Sequence, residues 1–144
     1  MKIFVTVGTT PFDSLIKEAS LLKSSETILQ VGESDIEASN CKIIKFTINI
    51  VEYYLWADIV ICHAGAGTIY QLLEMDKSII VVPNLERSDQ HQNEITNFIE
   101  SNNFGLVARD VKKLKEILLK VGAFKKNKYA KEEFFLAKEI INLI

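Results

Sequence analysis

The residues of this chain whose types and spacing could do chemistry fall in three short stretches. The first is Gly8-Thr9-Thr10-Pro11, the second His63-Ala64-Gly65-Ala66-Gly67-Thr68, and the third runs from Asn84 to Gln92. In the second stretch, Gly65 and Gly67 remove side chains where an apolar run gives way to a helical pattern. A ligand can then approach the backbone closely. If a helix starts there, its free N–H groups and its dipole favour an anion, the dipole alone by about 0.3–1 kcal/mol. A phosphate or diphosphate is the natural guest, and Thr68 can add a hydroxyl donor. A tight turn with no ligand would use the same glycines. The third stretch holds Arg87-Ser88-Asp89-Gln90-His91-Gln92-Asn93-Glu94. Its amides and carboxylates offer the paired donors and acceptors that read sugar hydroxyls. Ser88 or Asp89 could equally serve there as a helix cap. His63 and His91 are the two histidines of the chain. An imidazole can act as a base, as a phosphate donor or as a plain structural hydrogen-bonder.

Other chemistries lack their residues. Tyr70 stands where a dinucleotide-binding fingerprint needs its third glycine, and no Gly-Lys-Ser/Thr follows the glycines as in a Walker loop. No HxH, HExxH or DxD occurs, so no tightly bound metal is expected. A GxSxG elbow is also absent. The pair Tyr53 and Tyr54, with Trp56, reads as core or interface.

These stretches must be positioned by the elements around them. Strands are predicted at Lys2–Val7, Thr27–Val31, Ile43–Phe46, Asp58–Cys62, Ser78–Val82 and Gly105–Ala108. Continuous runs such as Ile79-Ile80-Val81-Val82 suit strands buried on both faces of a parallel sheet. Helices are predicted at Phe12–Leu22, Asn49–Trp56, Thr68–Met75 and Asp89–Asn102. A further helix, Val111–Val121, would be capped by Asp110, and a last one would run from Lys126 to Ile144. This alternation predicts a single α/β domain over residues 1–144, a Rossmann-like parallel sheet with helices on both faces. Ligands bind such sheets at the carboxyl ends of the strands. All three chemical stretches follow strands, so they would open on one edge.

Composition agrees with one folded domain. The chain has 144 residues, 48% hydrophobic and 25% charged, with a net charge of −2. That excludes disorder as the main state. Two cysteines, Cys41 and Cys62, cannot staple a fold of this size and are expected as reduced thiols. No apolar run approaches the ~18 residues of a membrane span, and the N-terminal apolar run is too short for a signal peptide. Residues 1–110 carry 8 Lys+Arg against 15 Asp+Glu, whereas residues 111–144 carry 9 Lys against 4 Glu. The basic C-terminal quarter could face an anionic surface or simply be a solvated helix face. Nucleic acid is not expected as a partner, because the lysines are not interleaved with aromatic stacking residues.

Three stretches together carry a resemblance: Phe4-Val5-Thr6-Val7-Gly8-Thr9-Thr10-Pro11-Phe12-Asp13, the run from Trp56 to Thr68, and Asp89-Gln90-His91-Gln92. They resemble the small soluble subunit of two-part N-acetylglucosaminyltransferases, which act in N-glycan precursor assembly and, in bacteria, in capsule and exopolysaccharide assembly. The last two also resemble the donor-binding C-terminal half of the peptidoglycan N-acetylglucosaminyltransferase. The likeness covers most of residues 1–108. It implies the C-terminal half of a GT-B glycosyltransferase, with no cofactor and a UDP-sugar as donor substrate. A membrane-anchored partner subunit would bind a lipid-linked acceptor and hold this chain at the cytoplasmic face of the membrane.

By the same resemblance, Gly65, Ala66, Gly67 and Thr68 would hold the diphosphate. Gln71, Asp89, Gln90, His91 and Gln92 would lie near ribose and sugar, and Gly8, Thr9 and Thr10 would line the cleft. Many relatives have Glu at the position of Gln71, and Glu74 could substitute from one turn on. The implied reaction is an inverting transfer, with His63 or His91 as candidate general base unless the partner supplies it. Phe134, Phe135, Ile140, Ile141 and Ile144 would form an apolar face that packs on the partner or on the chain's own sheet. Left unpaired, that face would favour self-association. UDP-galactose, UDP-N-acetylglucosamine and UDP-glucuronic acid all suit a site read mainly through UDP. The competing functional reading is a nucleotide-binding regulatory or scaffolding subunit without catalytic groups.

Overall fold

The structure is a computed structural model, and it describes residues 1–23, 26–86 and 90–130. Six parallel strands form one sheet in the order β3-β2-β1-β4-β5-β6. The strands are β1 Lys2–Thr6, β2 Glu26–Gln30, β3 Lys42–Ile44, β4 Ile59–His63, β5 Ile79–Val82 and β6 Leu106–Val107. Among the described residues the helices are α1 Asp13–Ser20, α2 Ile50–Trp56, α3 Ala66–Glu74, α4 Gln90–Asn102 and α5 Leu114–Leu119. This is the Rossmann-like α/β architecture expected from the alternation.

The sheet is covered on both faces because its central strands have no polar side. In β1, Ile3 and Val5 belong to one apolar cluster and Phe4 to the other. The first cluster takes Leu15, Ile16 and Ala19 of α1 with Leu114 and Leu118 of α5. The second takes Tyr54 of α2, Ile69, Leu72 and Leu73 of α3, and Ile99 of α4. Burial on both faces explains why β5 reads as an unbroken Ile-Ile-Val-Val run, with all four residues buried.

The differences from expectation are local. Each predicted strand is present, with ends shifted by one or two residues. Expected Val111–Val121 splits into a 3-10 turn at Val111–Lys113 and the short α5. Asp110 does cap it, accepting from the Lys112 N–H at 3.0 Å. Expected helix 126–144 begins wrongly, since residues 126–130 are not helical. There the chain is held in a strap: Lys126 bonds Asp76, the Asn127 N–H donates to the Asn103 carbonyl at 2.7 Å, and Tyr129 meets Phe104 edge-on. Asp76 and Asn103 close α3 and α4 in the left-handed region, φ 55° and 53°, as C-terminal caps do. Phe134, Phe135, Ile140, Ile141 and Ile144 lie outside the described residues. Among the described residues no helix is long and apolar enough to cross a membrane.

Candidate functional site

The strand order reverses direction between β1 and β4, because the chain moves outward from β1 to β3 and returns to β4. At such a switch point the loops after the two central strands diverge and leave a crevice. The crevice is present as a pocket of about 180 Å³. Its walls come from the loops after β1, β4 and β5: Val7, Thr10 and Phe12, then His63, Ala64 and Gly65, then Asn84, with Gln92 from the first turn of α4.

His63 ends β4 and sits between two glycines. A Cβ on Gly65 would lie 2.3 Å from its Nε2, and a Cβ on Gly8 would lie 2.8 Å from its Cε1. Gly8 is also left-handed, at φ +65°. Both positions therefore exclude side chains so that the imidazole can lie there. The vacant side of Gly65 is thus taken up by His63, while Gly65 itself still lines the pocket. Gly67 differs, since a Cβ there would meet nothing within 4 Å. Burial holds the His63 imidazole below its ordinary pKa of 6.5, with the Thr6 carbonyl opposing. Its Nδ1 is buried and has no regular hydrogen bond among the described residues. At neutral pH the ring is uncharged. It can take a proton, and it is a poor electrostatic partner for phosphate.

Helix α3 starts at the pocket. Its N-cap is Gly65, in an extended conformation and with no side-chain cap bond. The Ile69 N–H returns to the Gly65 carbonyl at 3.0 Å, closing the first turn. The N–H groups of the preceding residues thus receive no side-chain acceptor from the cap, and the positive end of the helix faces outward. Thr68 does not simply wait for a ligand: its side chain hydrogen-bonds the Tyr54 hydroxyl, whose pKa burial pushes up to about 12. Gln71 is exposed one turn further on.

The third stretch divides. Gln92 lines the pocket, but its Oε1 accepts the Asn84 backbone N–H at 2.7 Å. Asn84, 4% exposed, donates from Nδ2 to the Pro11 carbonyl at 3.3 Å, which joins the loop after β5 to the loop after β1. His91 points away: its side chain is 83% exposed, 3.5 Å from Glu94, and is not part of the pocket wall. The structure therefore separates the two histidines offered as bases. Asp89 lies outside the described residues, and Gln90 is described only as the start of α4. Thr9 is exposed, and Gly8 and Thr10 are half-buried at the rim. Among the described residues, no three His, Cys, Asp or Glu side chains are placed to hold a metal ion.

The sequence profile of the glycosyltransferase family 28 C-terminal domain matches residues 2–143. The chain belongs to this family. Among curated proteins, the family 28 domain is 34% identical to UDP-N-acetylglucosamine transferase subunit ALG13 of Homo sapiens, over 65% of this chain and 10% of that protein. It is 28% identical to the UDP-N-acetylglucosamine--N-acetylmuramyl-(pentapeptide) pyrophosphoryl-undecaprenol N-acetylglucosamine transferase of Vesicomyosocius okutanii, over 71% of this chain and 32% of that one. Among solved structures it matches MurG of Acinetobacter baumannii with a TM-score of 0.67 and 19% identity, covering 84% of this chain and 41% of that chain. At that identity the match speaks for the fold, which is the GT-B half the motifs implied. The family 28 domain spans at most about a third of the length of these curated relatives.

Sequence reasoning placed Asn84 in the third stretch but not its clip to Pro11, which depends on which loops are neighbours. It missed Gln30, at the end of β2 beside the site, whose sequence signal is a polar residue following Ile28 and Leu29.

Proposed function

We propose that the family 28 domain is the donor-binding part of a UDP-sugar-dependent, inverting glycosyltransferase that works with a separate acceptor-binding subunit. The observation that carries this reading is the pocket at the β1/β4 switch point, where the uncapped N-terminus of α3 and the neutral His63 meet. In this reading the donor diphosphate lies on the N–H groups of Ala66, Gly67 and Thr68. The leaving UDP is stabilised by fixed dipoles that need no rearrangement and no metal. Gln71, Asp89 and Gln90 reach the ribose and sugar, while Gln92 holds the pocket wall through Asn84. His63 accepts the proton of the attacking hydroxyl as the bond to the anomeric carbon forms and the bond to UDP breaks.

A separate acceptor subunit is supported by size. The pocket is smaller than the ~300–1,000 Å³ of a self-contained small-molecule site. It therefore reads as one wall of a cleft. ALG13 is itself named as a transferase subunit. A lipid-linked acceptor, attachment to the inner membrane face through the partner, and work in capsule or exopolysaccharide assembly complete the proposal.

The test is calorimetric titration of the chain with UDP, UDP-sugars and NAD, with and without magnesium. Binding of UDP that is independent of magnesium is expected, and the ranking of sugars then names the donor. Binding of NAD in preference to UDP would overturn the reading.

A further inference from the structure

A buried side chain at the carboxyl edge of the sheet is used by none of the chemistry above. Gln30 closes β2 opposite Thr6 of β1 and is 3% exposed. Its Oε1 accepts from the Thr6 hydroxyl at 2.6 Å and from the backbone N–H groups of Val7 and Gly8, both at 3.2 Å. Its Nε2 donates to the Gly8 carbonyl at 3.0 Å and to the Lys45 carbonyl at 2.7 Å. The partners fix the orientation of the amide. Turned over, its N–H groups would face the two backbone N–H donors and its oxygen two carbonyls.

The position explains the bonds. The ladder between β1 and β2 ends at Thr6 and Gln30, while β2 continues toward β3 through the Val31 and Gly32 N–H groups. The backbone of residues 7 and 8 thus leaves the ladder with β2, and the Gln30 amide supplies the next rung, with the Gly8 N–H also reaching the Thr6 hydroxyl at 3.3 Å. Gly8 is also the residue against which the His63 ring lies.

We propose that Gln30 is a positioning residue for the donor site: it fixes the left-handed Gly8 turn and, through Gly8, holds the His63 imidazole in the pocket. The catalytic consequence rests on the reading of the site given above, while the clamp itself is independent of it. Among the described residues, the rest of the pocket wall carries no titratable group, being made of Val7, Thr10, Phe12, Ala64, Gly65, Asn84 and Gln92. The titration of His63 therefore reports on its packing.

The experiment is a proton NMR titration of the His63 Cε1–H in the whole chain, assigned with His91→Asn, in the wild type and in Gln30→Met. Methionine keeps the length of the side chain and removes all five bonds. The released turn admits water beside the ring, so the His63 midpoint moves upward toward the ordinary value, by about 0.5–1 pH unit. UDP affinity, read by calorimetry, falls about tenfold, because the first wall of the pocket is no longer held in place. A Gln30→Met protein that melts earlier but keeps the wild-type midpoint and UDP affinity would show a purely structural bond and overturn the proposal. If Gln30→Met does not fold, Thr6→Val removes one of the five bonds, together with the bond the Thr6 hydroxyl accepts from the Gly8 N–H. It is expected to move the midpoint the same way by a smaller step, and no movement overturns the proposal. A wild type that binds no UDP would sink the donor reading, while the His63 titration would still decide the clamp.

Discussion

The two glycines of the second stretch look alike in sequence and do different work. Gly65 makes room for His63, and Gly67 leaves backbone bare. Gly65→Ala is expected to push the imidazole out of place and to destabilise the chain by about 1–3 kcal/mol, as overpacking does. Gly67→Ala sits in an open helical turn, so thermal unfolding should show no loss and a gain of up to about 1 kcal/mol. Yet UDP affinity should drop, since the methyl stands where the diphosphate would approach. His63 itself sets a pH dependence. Its folded pKa lies below the unfolded 6.5, so the unfolded chain binds the proton more readily. The stability contributed by the neutral ring is complete above 6.5 and is lost as pH falls toward the lowered value. Urea midpoints measured from pH 8 to pH 5 should decline, and His63→Asn should decline less over that range. In the reconstituted pair, His63→Asn should lower turnover about 10²–10⁴-fold if His63 is the base, with UDP affinity nearly unchanged.

At the scale of elements, the site is built from loops fastened to one another rather than from the loops alone. The first turn of α4 reaches back to the loop after β5 through Gln92, and that loop reaches the one after β1 through Asn84. Sequence reading gave Gln92 to the sugar, whereas the structure commits its Oε1 to the Asn84 N–H. Gln92→Ala would leave a buried N–H without its acceptor. The expected cost is about 1–3 kcal/mol by urea unfolding, larger than for a typical surface change. The neighbouring His91 lies on the outer side of the same turn. One residue along a helix turns the side chain by about 100°, which is why adjacent positions of one motif part company here.

For the whole molecule, the sheet between two apolar layers sets the stability and the loop edge sets the chemistry. Leu72 of α3 is fully buried, while Leu55 of α2 is 70% exposed. Leu72→Ala is expected to cost about 2–5 kcal/mol and Leu55→Ala less than about 0.5 kcal/mol, compared by urea denaturation. Neither residue lies in the pocket wall, so UDP affinity measured well below the unfolding transition should not change in either variant. The thiol of Cys62 is walled into the second layer, and burial pushes its pKa up to about 12. It is an inert core residue, as its place in an apolar strand suggests.

Much of this was legible in the sequence, for reasons that can be named. The Val/Ile runs determine strands buried on both faces, and strands of that kind need helices on both sides. The positions of Gly8, His63 and Asn84 just past strand ends determine that they share an edge. The motifs of residues 4–13, 56–68 and 89–92 together carry the resemblance to the family. The short end pieces were less legible, because a few hydrogen bonds decide them. The 110–119 segment pinches into a 3-10 turn at the Asp110 cap, and residues 126–130 form a strap because Asp76 and Asn103 offer partners that are remote in sequence. Only the tertiary structure decided that His63 and not His91 faces the pocket, that Gly65 serves the histidine, and that Gln30 holds Gly8. These depend on which side chains from separate strands meet at the carboxyl edge. Such contacts depend on register and packing, and no local pattern of residues encodes them.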